Sequence, residues 1–120
     1  MPHVTLQYTN NVFSLDTGKI LLKLNAALAA SGHFQEADIK SRAIKLDDYV
    51  VGTDADTRAR GFLHVRLAIL SGRTDPVKKQ LSEIALAEVR DFCQGYPDIG
   101  IQLTVEVVDI NQSAYSKLVF

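Results

Sequence analysis

A chain of 120 residues, of which 47% are hydrophobic, fits one folded domain and is too apolar for a disordered segment. A formal net charge of −1 argues against nucleic-acid binding, which relies on clustered Lys and Arg. The only cysteine, Cys93, excludes an internal disulfide, and no apolar run is long enough for a signal or membrane span. We therefore expect a cytoplasmic protein without a membrane partner.

The chain begins with Met1-Pro2, directly ahead of a predicted strand over residues 2 to 8 in which polar and apolar residues alternate. If Met1 is removed, Pro2 becomes a free secondary amine held rigidly at the end of a strand. An α-amino group titrates near pH ~7.7–8.0 and the proline ring makes it more basic, so a base at this position needs burial or nearby cations to lower its pKa. The alternative interpretation is that Pro2 only stiffens the start of the chain.

A β-α-β unit is predicted over residues 1–48. A helix begins at a cap formed by Ser14 or Asp16 and ends at Gly32, and its apolar positions recur at helical spacing, at Ile20, Leu21, Leu24 and Leu28. A connector over 33–38 leads to the second strand, residues 39–46. A polar loop over 47–60 then separates this unit from the next.

The same pattern repeats over residues 61–110. A strand over 62–70 is followed by a turn, a cap at Thr74 or Asp75, and a helix that starts with Pro76 and runs to about Gln94. Gly95, Pro97 and Gly100 end this helix, and the fourth strand covers 101–110.

The two units predict a single α/β (α+β) domain over residues 1–120. Because parallel strands cross over right-handedly, both helices are expected on one face of a four-stranded mixed sheet. The other face carries Phe62, Ala68 and Leu70, and uncovered apolar surface usually marks an interface. The sequence thus predicts a homo-oligomer, with the tail over 111–120, which ends in Leu118-Val119-Phe120, at the subunit interface.

Two arginines are candidate partners of Pro2. Arg42 lies near the start of the second strand, and Arg73 lies between the third strand and a helix N-terminus. Both reach one cleft with Pro2 if the two units pair antiparallel. Guanidinium groups there lower the pKa of the proline amine and bind carboxylates in bidentate geometry. The alternative is that each arginine is a solvated side chain or part of a surface ion pair.

The remaining polar residues do not form a metal-binding pattern. His3, His33 and His64 do not have metal-ligand spacing, and Asp54 and Asp56 lack the rest of a calcium loop. Cys93 is interpreted as a small core residue. For His64 the sequence favours packing or a hydrogen bond on the sheet, with substrate binding as the other interpretation.

Several segments together resemble the 5-carboxymethyl-2-hydroxymuconate isomerases of the tautomerase superfamily, relatives of 4-oxalocrotonate tautomerase and macrophage migration inhibitory factor. These segments are Met1-Pro2-His3, Ala30-Ser31-Gly32-His33-Phe34, Ser41-Arg42, Phe62-Leu63-His64-Val65 and Gly72-Arg73-Thr74. Each motif is weak alone, but their joint order spans nearly the whole chain. Gln7 departs from the family pattern, in which an acidic residue is expected, and this leaves the substrate open.

The resemblance implies a trimeric, cofactor-independent isomerase of aromatic catabolism. It implies that Pro2 is the general base that moves a proton in an unsaturated hydroxy or keto di- or tricarboxylic acid, and that Arg42 and Arg73 hold the carboxylates, with His64 as a further substrate-binding residue. Two alternatives stay open: a hydratase or dehalogenase of unsaturated acids on the same scaffold, and a non-catalytic oligomeric binding protein if Met1 is retained.

Overall fold

Two β-α-β units make up the protein, and the computed structural model describes all residues from 1 to 120. The elements in chain order are β1 (His3–Thr9), α1 (Thr17–Ala30), β2 (Lys40–Leu46), β3 (Arg60–Leu70), α2 (Asp75–Arg90) and β4 (Gly100–Ile110). Short 3-10 turns cover Glu36–Asp38, Asp91–Cys93 and Gln112–Ala114. The predicted elements are all present, and the second helix ends a few residues earlier than predicted because the chain tightens into a 3-10 turn after Arg90.

The strands form one mixed sheet in the order β2-β1-β3-β4. β1 pairs with β2 in parallel, β3 pairs with β4 in parallel, and the central pair β1–β3 is antiparallel. This arrangement confirms the predicted four-stranded mixed sheet. It also brings the start of β1, the start of β2 and the end of β3 to the same end of the sheet.

The core lies between the sheet and the two helices. Each element contributes apolar side chains at its own period, every second residue in the strands and every third or fourth in the helices. The fully buried side chains include Val4 and Leu6 of β1, Leu24 and Leu28 of α1, Leu63, Val65, Leu67 and Ile69 of β3, and Leu81 and Val89 of α2. Burial of each large apolar side chain stabilises the fold by about 1.5–3 kcal/mol, and this free energy is the main reason why both helices pack on this face.

The helix ends have the residues that their geometry requires. The carboxylate of Asp16 accepts a hydrogen bond from the Lys19 amide at 3.1 Å, and the Thr74 hydroxyl caps α2 through the Val77 amide. Gly32 follows α1 with a φ of 82°, a left-handed conformation that glycine adopts without a steric penalty. Of the cap residues proposed for each helix, the structure thus selects Asp16 and Thr74.

The sheet face opposite the helices is more polar than predicted. Alternation along the strands places Phe62, Ala68 and Leu70 on it, as expected, but the same alternation also places charged and polar side chains between them. These are His3, Arg42, His64, Arg66, Thr104 and Glu106. We refer to this surface as the open face. Only part of the open face is apolar, because the polar residues of the strands also lie on the side of the sheet away from the helices.

The tail after β4 returns across the end of the sheet to the start of the chain. Tyr115 contacts His3, and Lys117 contacts Asp38, just ahead of β2. The last three residues, Leu118, Val119 and Phe120, are 76%, 76% and 110% exposed. Neither α1 nor α2 combines the length and the apolar character that crossing a bilayer requires.

Candidate active site

A cavity of about 370 Å³ opens at the end of the sheet where β1 begins and β3 ends. Its lining comes from the start of the chain, the exit of α1, the segment before β2 and the turn between β3 and α2. The residues are Met1, Gly32, His33, Phe34, Gln35, Asp38, Leu70 and Arg73. The β-α-β topology therefore brings together segments that are more than 70 positions apart in sequence.

Pro2 is buried directly ahead of β1 and follows Met1, which lines the cavity. Its carbonyl accepts a hydrogen bond from the Lys40 amide at 3.1 Å, which fixes the start of the chain against β2. With Met1 in place, the Pro2 nitrogen is an amide without a basic lone pair. The terminal amine belongs to Met1, and it lies 3.7 Å from a carboxylate oxygen of Asp38.

The pKa of the amine at this end of the molecule is lower than usual. Burial lowers the pKa of the Met1 amine, and the positive charges of Lys40 and Lys117 lower it further, while Asp38 acts in the opposite direction. The cations that act on the Met1 amine are two lysines, one from the start of β2 and one from the tail.

Arg73 lies on the wall of the cavity. Its Nη2 donates a hydrogen bond to the His33 carbonyl at 3.0 Å, and its guanidinium carbon lies 4.9 Å from the centre of the Phe34 ring. Both contacts come from the exit of α1, so this segment fixes the guanidinium in place. One of the five guanidinium N–H groups is engaged by His33, and others are available to an anion in the cavity.

Asp38 and Lys117 form an ion pair at the edge of the cavity. The Lys117 ammonium lies 2.5 Å from Oδ1 of Asp38, and its hydrogen bond is the main reason why the pKa of Asp38 is lower than usual. The pair fastens the tail to the segment before β2. Asp38 thus joins the Met1 amine on one side to the tail on the other.

Arg42 and His64 lie on the open face and do not line the cavity. The Nη2 of Arg42 is 2.8 Å from Nδ1 of His3. His64 contacts two residues of β4, with Nδ1 at 2.7 Å from the Thr104 hydroxyl and Nε2 at 2.5 Å from a carboxylate oxygen of Glu106. The prediction that His64 forms hydrogen bonds on the sheet is confirmed. Within one chain, of the three side chains predicted to bind substrate, Arg73 alone borders the cavity.

The other polar candidates have structural contacts. Asp54 and Asp56 pair with Arg60 and Arg58 in the loop before β3. Cys93 packs against the core, and burial raises the pKa of its thiol. No group of three or more His, Cys, Asp or Glu side chains is arranged to hold a metal ion.

Sequence reasoning missed the residues that the tail and the connector bring to the site. Asp38 precedes β2 in a short 3-10 turn, and Tyr115 and Lys117 follow the last strand in a segment without periodicity. Hydrophobic patterns cannot position such segments. The tail over 111–120 mixes polar residues with the apolar Leu118-Val119-Phe120, so its composition gives no signal that singles out Tyr115 or Lys117.

Comparison with known proteins places this geometry in one family. A family model described as 5-carboxymethyl-2-hydroxymuconate isomerase matches residues 2–118. A search of curated proteins returns no match. Among solved structures, a 5-carboxymethyl-2-hydroxymuconate isomerase from Deinococcus radiodurans R1 is 29% identical with a TM-score of 0.88, over 98% of this chain and 88% of that one.

More distant structures share the fold. A 5-carboxymethyl-2-hydroxymuconate delta-isomerase is 18% identical with a TM-score of 0.78, over 100% of this chain and 89% of that one. A fused 4-OT described as a symmetric trimer is 16% identical with a TM-score of 0.73, over 96% and 90% of the two chains. The predicted tautomerase-like architecture is confirmed by these matches.

Proposed function

Because the chain belongs to the 5-carboxymethyl-2-hydroxymuconate isomerase family, we propose that it moves a proton within an unsaturated hydroxy or keto di- or tricarboxylic acid, such as 5-carboxymethyl-2-hydroxymuconate. The general base is Pro2, in the form of the protein from which Met1 has been removed. The observation that supports this proposal is that the start of the chain and the Arg73 guanidinium border one cavity of about 370 Å³. A base and an anion binder are the two groups that this chemistry needs.

The surroundings of Pro2 suit a base that works near neutral pH. The Met1 amine already has a lowered pKa because it is partly buried and lies near Lys40 and Lys117. Removal of Met1 transfers the terminal amine to Pro2 in the same region of the fold, where burial and positive charge lower the pKa of an amine. Each unit of pKa depression corresponds to about 1.4 kcal/mol in favour of the neutral, reactive form.

Arg73 holds a carboxylate of the substrate. A guanidinium fixed by the His33 carbonyl and the Phe34 ring is preorganised, so little side-chain entropy is lost when an anion binds. The segment from Gly32 to Gln35 also lines the cavity. No cofactor is part of the proposal.

The reaction is a proton transfer in two steps. Neutral Pro2 removes a proton from the dienol hydroxyl or from an activated carbon, and the electron pair that is left spreads over the conjugated system as a dienolate. Positive charge at Arg73 stabilises this anion in a partly desolvated site. The prolinium then returns the proton to a remote carbon, which regenerates the neutral base.

We further propose a homotrimer in the cytoplasm, with a role in aromatic catabolism. Trimeric assembly is described for a structural neighbour, and the exposed apolar tail over 118–120 and the open face need a covering surface. Arg42 and His64 lie on that face. Their proposed part in substrate binding therefore requires that they reach the cavity of a neighbouring subunit.

The test combines the intact mass of the natively expressed protein with a ketonisation assay of 5-carboxymethyl-2-hydroxymuconate. We expect a mass without Met1 and a rate that Pro2→Ala lowers at least about a hundredfold, because a positioned base contributes about 10²–10⁴. Arg58→Ala is the matched control, since its side chain is 89% exposed in a loop. An unchanged rate in Pro2→Ala would remove Pro2 from this role.

A second candidate function is a non-catalytic oligomeric binding protein. One observation favours it: the attached Met1 side chain is only 10% exposed and occupies part of the cavity wall. This candidate predicts that the native mass retains Met1 and that Pro2→Ala changes no measured property. A hydratase or dehalogenase that uses Pro2 as its base is distinguished from an isomerase by assaying several unsaturated and halogenated acids.

A further inference from the structure

A chain of hydrogen bonds joins the open face to the start of the chain. Arg42 Nη2 lies 2.8 Å from Nδ1 of His3, and Nε2 of His3 lies 2.9 Å from the Tyr115 hydroxyl. The Tyr115 hydroxyl in turn contacts the sulfur of Met1 as a donor. These four side chains come from β2, β1, the tail and the N-terminus. Three of them lie outside the cavity, and the fourth, Met1, lines it.

The chemistry of the four side chains determines which group donates in each of these three hydrogen bonds. A guanidinium has no acceptor, so Arg42 donates and Nδ1 of His3 must accept. A neutral imidazole then carries its hydrogen on Nε2 and donates it to the Tyr115 oxygen. The phenol hydrogen is left free to point towards Met1, whose thioether sulfur is only a weak acceptor. Burial and the neighbouring Arg42 lower the pKa of His3, which is consistent with a neutral ring.

We propose that Tyr115 is a further substrate-contacting residue, whose hydroxyl donates a hydrogen bond to a substrate oxygen beside Pro2 once Met1 has been removed. His3 and Arg42 are positioning residues that direct this hydroxyl. The inference rests on the proposed function, because it applies to the form with a free Pro2. Through His3 and Tyr115, Arg42 then acts on the site of its own subunit without contacting the substrate there.

In the proposed form, the Tyr115 donor faces the substrate oxygen on which negative charge develops. When Pro2 removes a proton, the oxygen of the substrate becomes more negative, and a fixed neutral donor binds it more strongly than it binds the ground state. The phenol proton stays on Tyr115 throughout, and the transferred proton moves only from the substrate to Pro2 and back to a substrate carbon. Removal of Met1 takes away the weak sulfur acceptor, and the Tyr115 hydroxyl can then donate to the substrate oxygen.

The experiment uses variants of the full chain whose loss of Met1 is verified by intact mass. Tyr115→Phe keeps the ring and removes the donor, and we expect kcat to fall about a hundredfold, since loss of one such donor costs about 10²–10³ in kcat, while KM changes less than about threefold. Tyr96→Phe is the matched control. Its hydroxyl bonds Ser14 at the far end of the molecule, so its kinetics should equal those of the unmodified chain.

The positioning role is tested at His3. His3→Gln provides one acceptor and one donor in a single planar group, so it should keep kcat within about fivefold. His3→Leu removes both and should lower kcat towards the Tyr115→Phe value. The double variant Tyr115→Phe/His3→Leu should be no slower than Tyr115→Phe alone, because the two residues act through one hydroxyl.

The outcomes separate this inference from the function on which it rests. If Pro2→Ala is inactive but Tyr115→Phe keeps the full kcat, the inference is overturned and the proposed function stands. An increase in KM alone in Tyr115→Phe also overturns it, since that result indicates ground-state binding only. Full kcat in His3→Leu overturns the positioning role. If Pro2→Ala is fully active, the proposed function itself fails.

Discussion

Replacement of Arg73 by alanine tests the anion-binding wall of the cavity. The Arg73 guanidinium donates to His33 and lies over Phe34, and its other N–H groups are available to a carboxylate. A hydrogen bond to a charged group contributes about 1.5–3 kcal/mol. At about 1.4 kcal/mol per tenfold, Arg73→Ala is expected to lower kcat/KM for a carboxylate substrate by about ten- to a hundredfold.

Arg73→Lys separates charge from geometry. A lysine keeps the positive charge but loses the planar fork, so an intermediate loss of about tenfold is expected. Arg73→Ala also removes the hydrogen bond to the His33 carbonyl and the contact with Phe34, which together contribute about 1–2 kcal/mol to folding. Urea unfolding of each variant therefore accompanies the kinetics, so that a loss of rate is not mistaken for a loss of folded protein.

Steady-state ketonisation kinetics provide the measurement, with Arg58→Ala as the control because that side chain is exposed in the loop before β3. The refuting result is a kcat/KM of Arg73→Ala that equals the control in protein whose Met1 is removed. Arg73 would then be a structural residue that holds the exit of α1, and the carboxylate would have to bind elsewhere.

Three further predictions concern stability and titration. Leu24→Ala should lower the free energy of unfolding by about 2–5 kcal/mol, because Leu24 is fully buried. The control Leu22→Ala changes an exposed residue of the same helix and should cost about 0.5 kcal/mol or less. Equal urea midpoints for the two variants would contradict the assignment of Leu24 to the core. The pKa of Asp38 is lower in the folded protein than in the unfolded chain, so its ion pair stabilises the fold above pH ~4 and loses this effect as the pH falls through the folded pKa. Lys117→Met should raise the pKa of Asp38, which side-chain carboxyl NMR measures, and an unchanged value would exclude Lys117 as the cause. Burial raises the pKa of the Cys93 thiol, so its reaction with a disulfide reagent at neutral pH should be much slower in the folded than in the urea-unfolded protein; equal rates would contradict burial.

The fold could be predicted from the sequence because its signals are local. The buried positions of α1 and β3 recur at the periods of a helix and a strand, and Gly32 follows α1 where a left-handed residue is needed. The right-handed crossover rule then assigns both helices to one face. The face of a strand on which a side chain lies is also local, and alternation along β2 already assigns Arg42 to the open face. The part of Arg42 in the site stays a prediction.

The site was harder to predict because it depends on aperiodic segments. Arg73 could be inferred from its position beside a helix N-terminus, and it borders the cavity with Met1. Tyr115 and Lys117 reach His3 and Asp38 across more than 70 sequence positions, and nothing in the pattern of the tail specifies its path. The distant ion pair and hydrogen bond, rather than any periodicity, determine where the tail lies.

The antiparallel pairing of β1 with β3 has a consequence for the order in which the molecule opens. These two strands each have a neighbour on both sides, whereas β2 and β4 each leave one row of backbone groups free. Local opening events start at such margins and at chain ends, so amide protons of β1 and β3 should exchange with deuterated solvent last and report the global free energy of unfolding. Strand pairs that are distant in sequence also form slowly, which makes the joining of the two units the step expected to limit refolding.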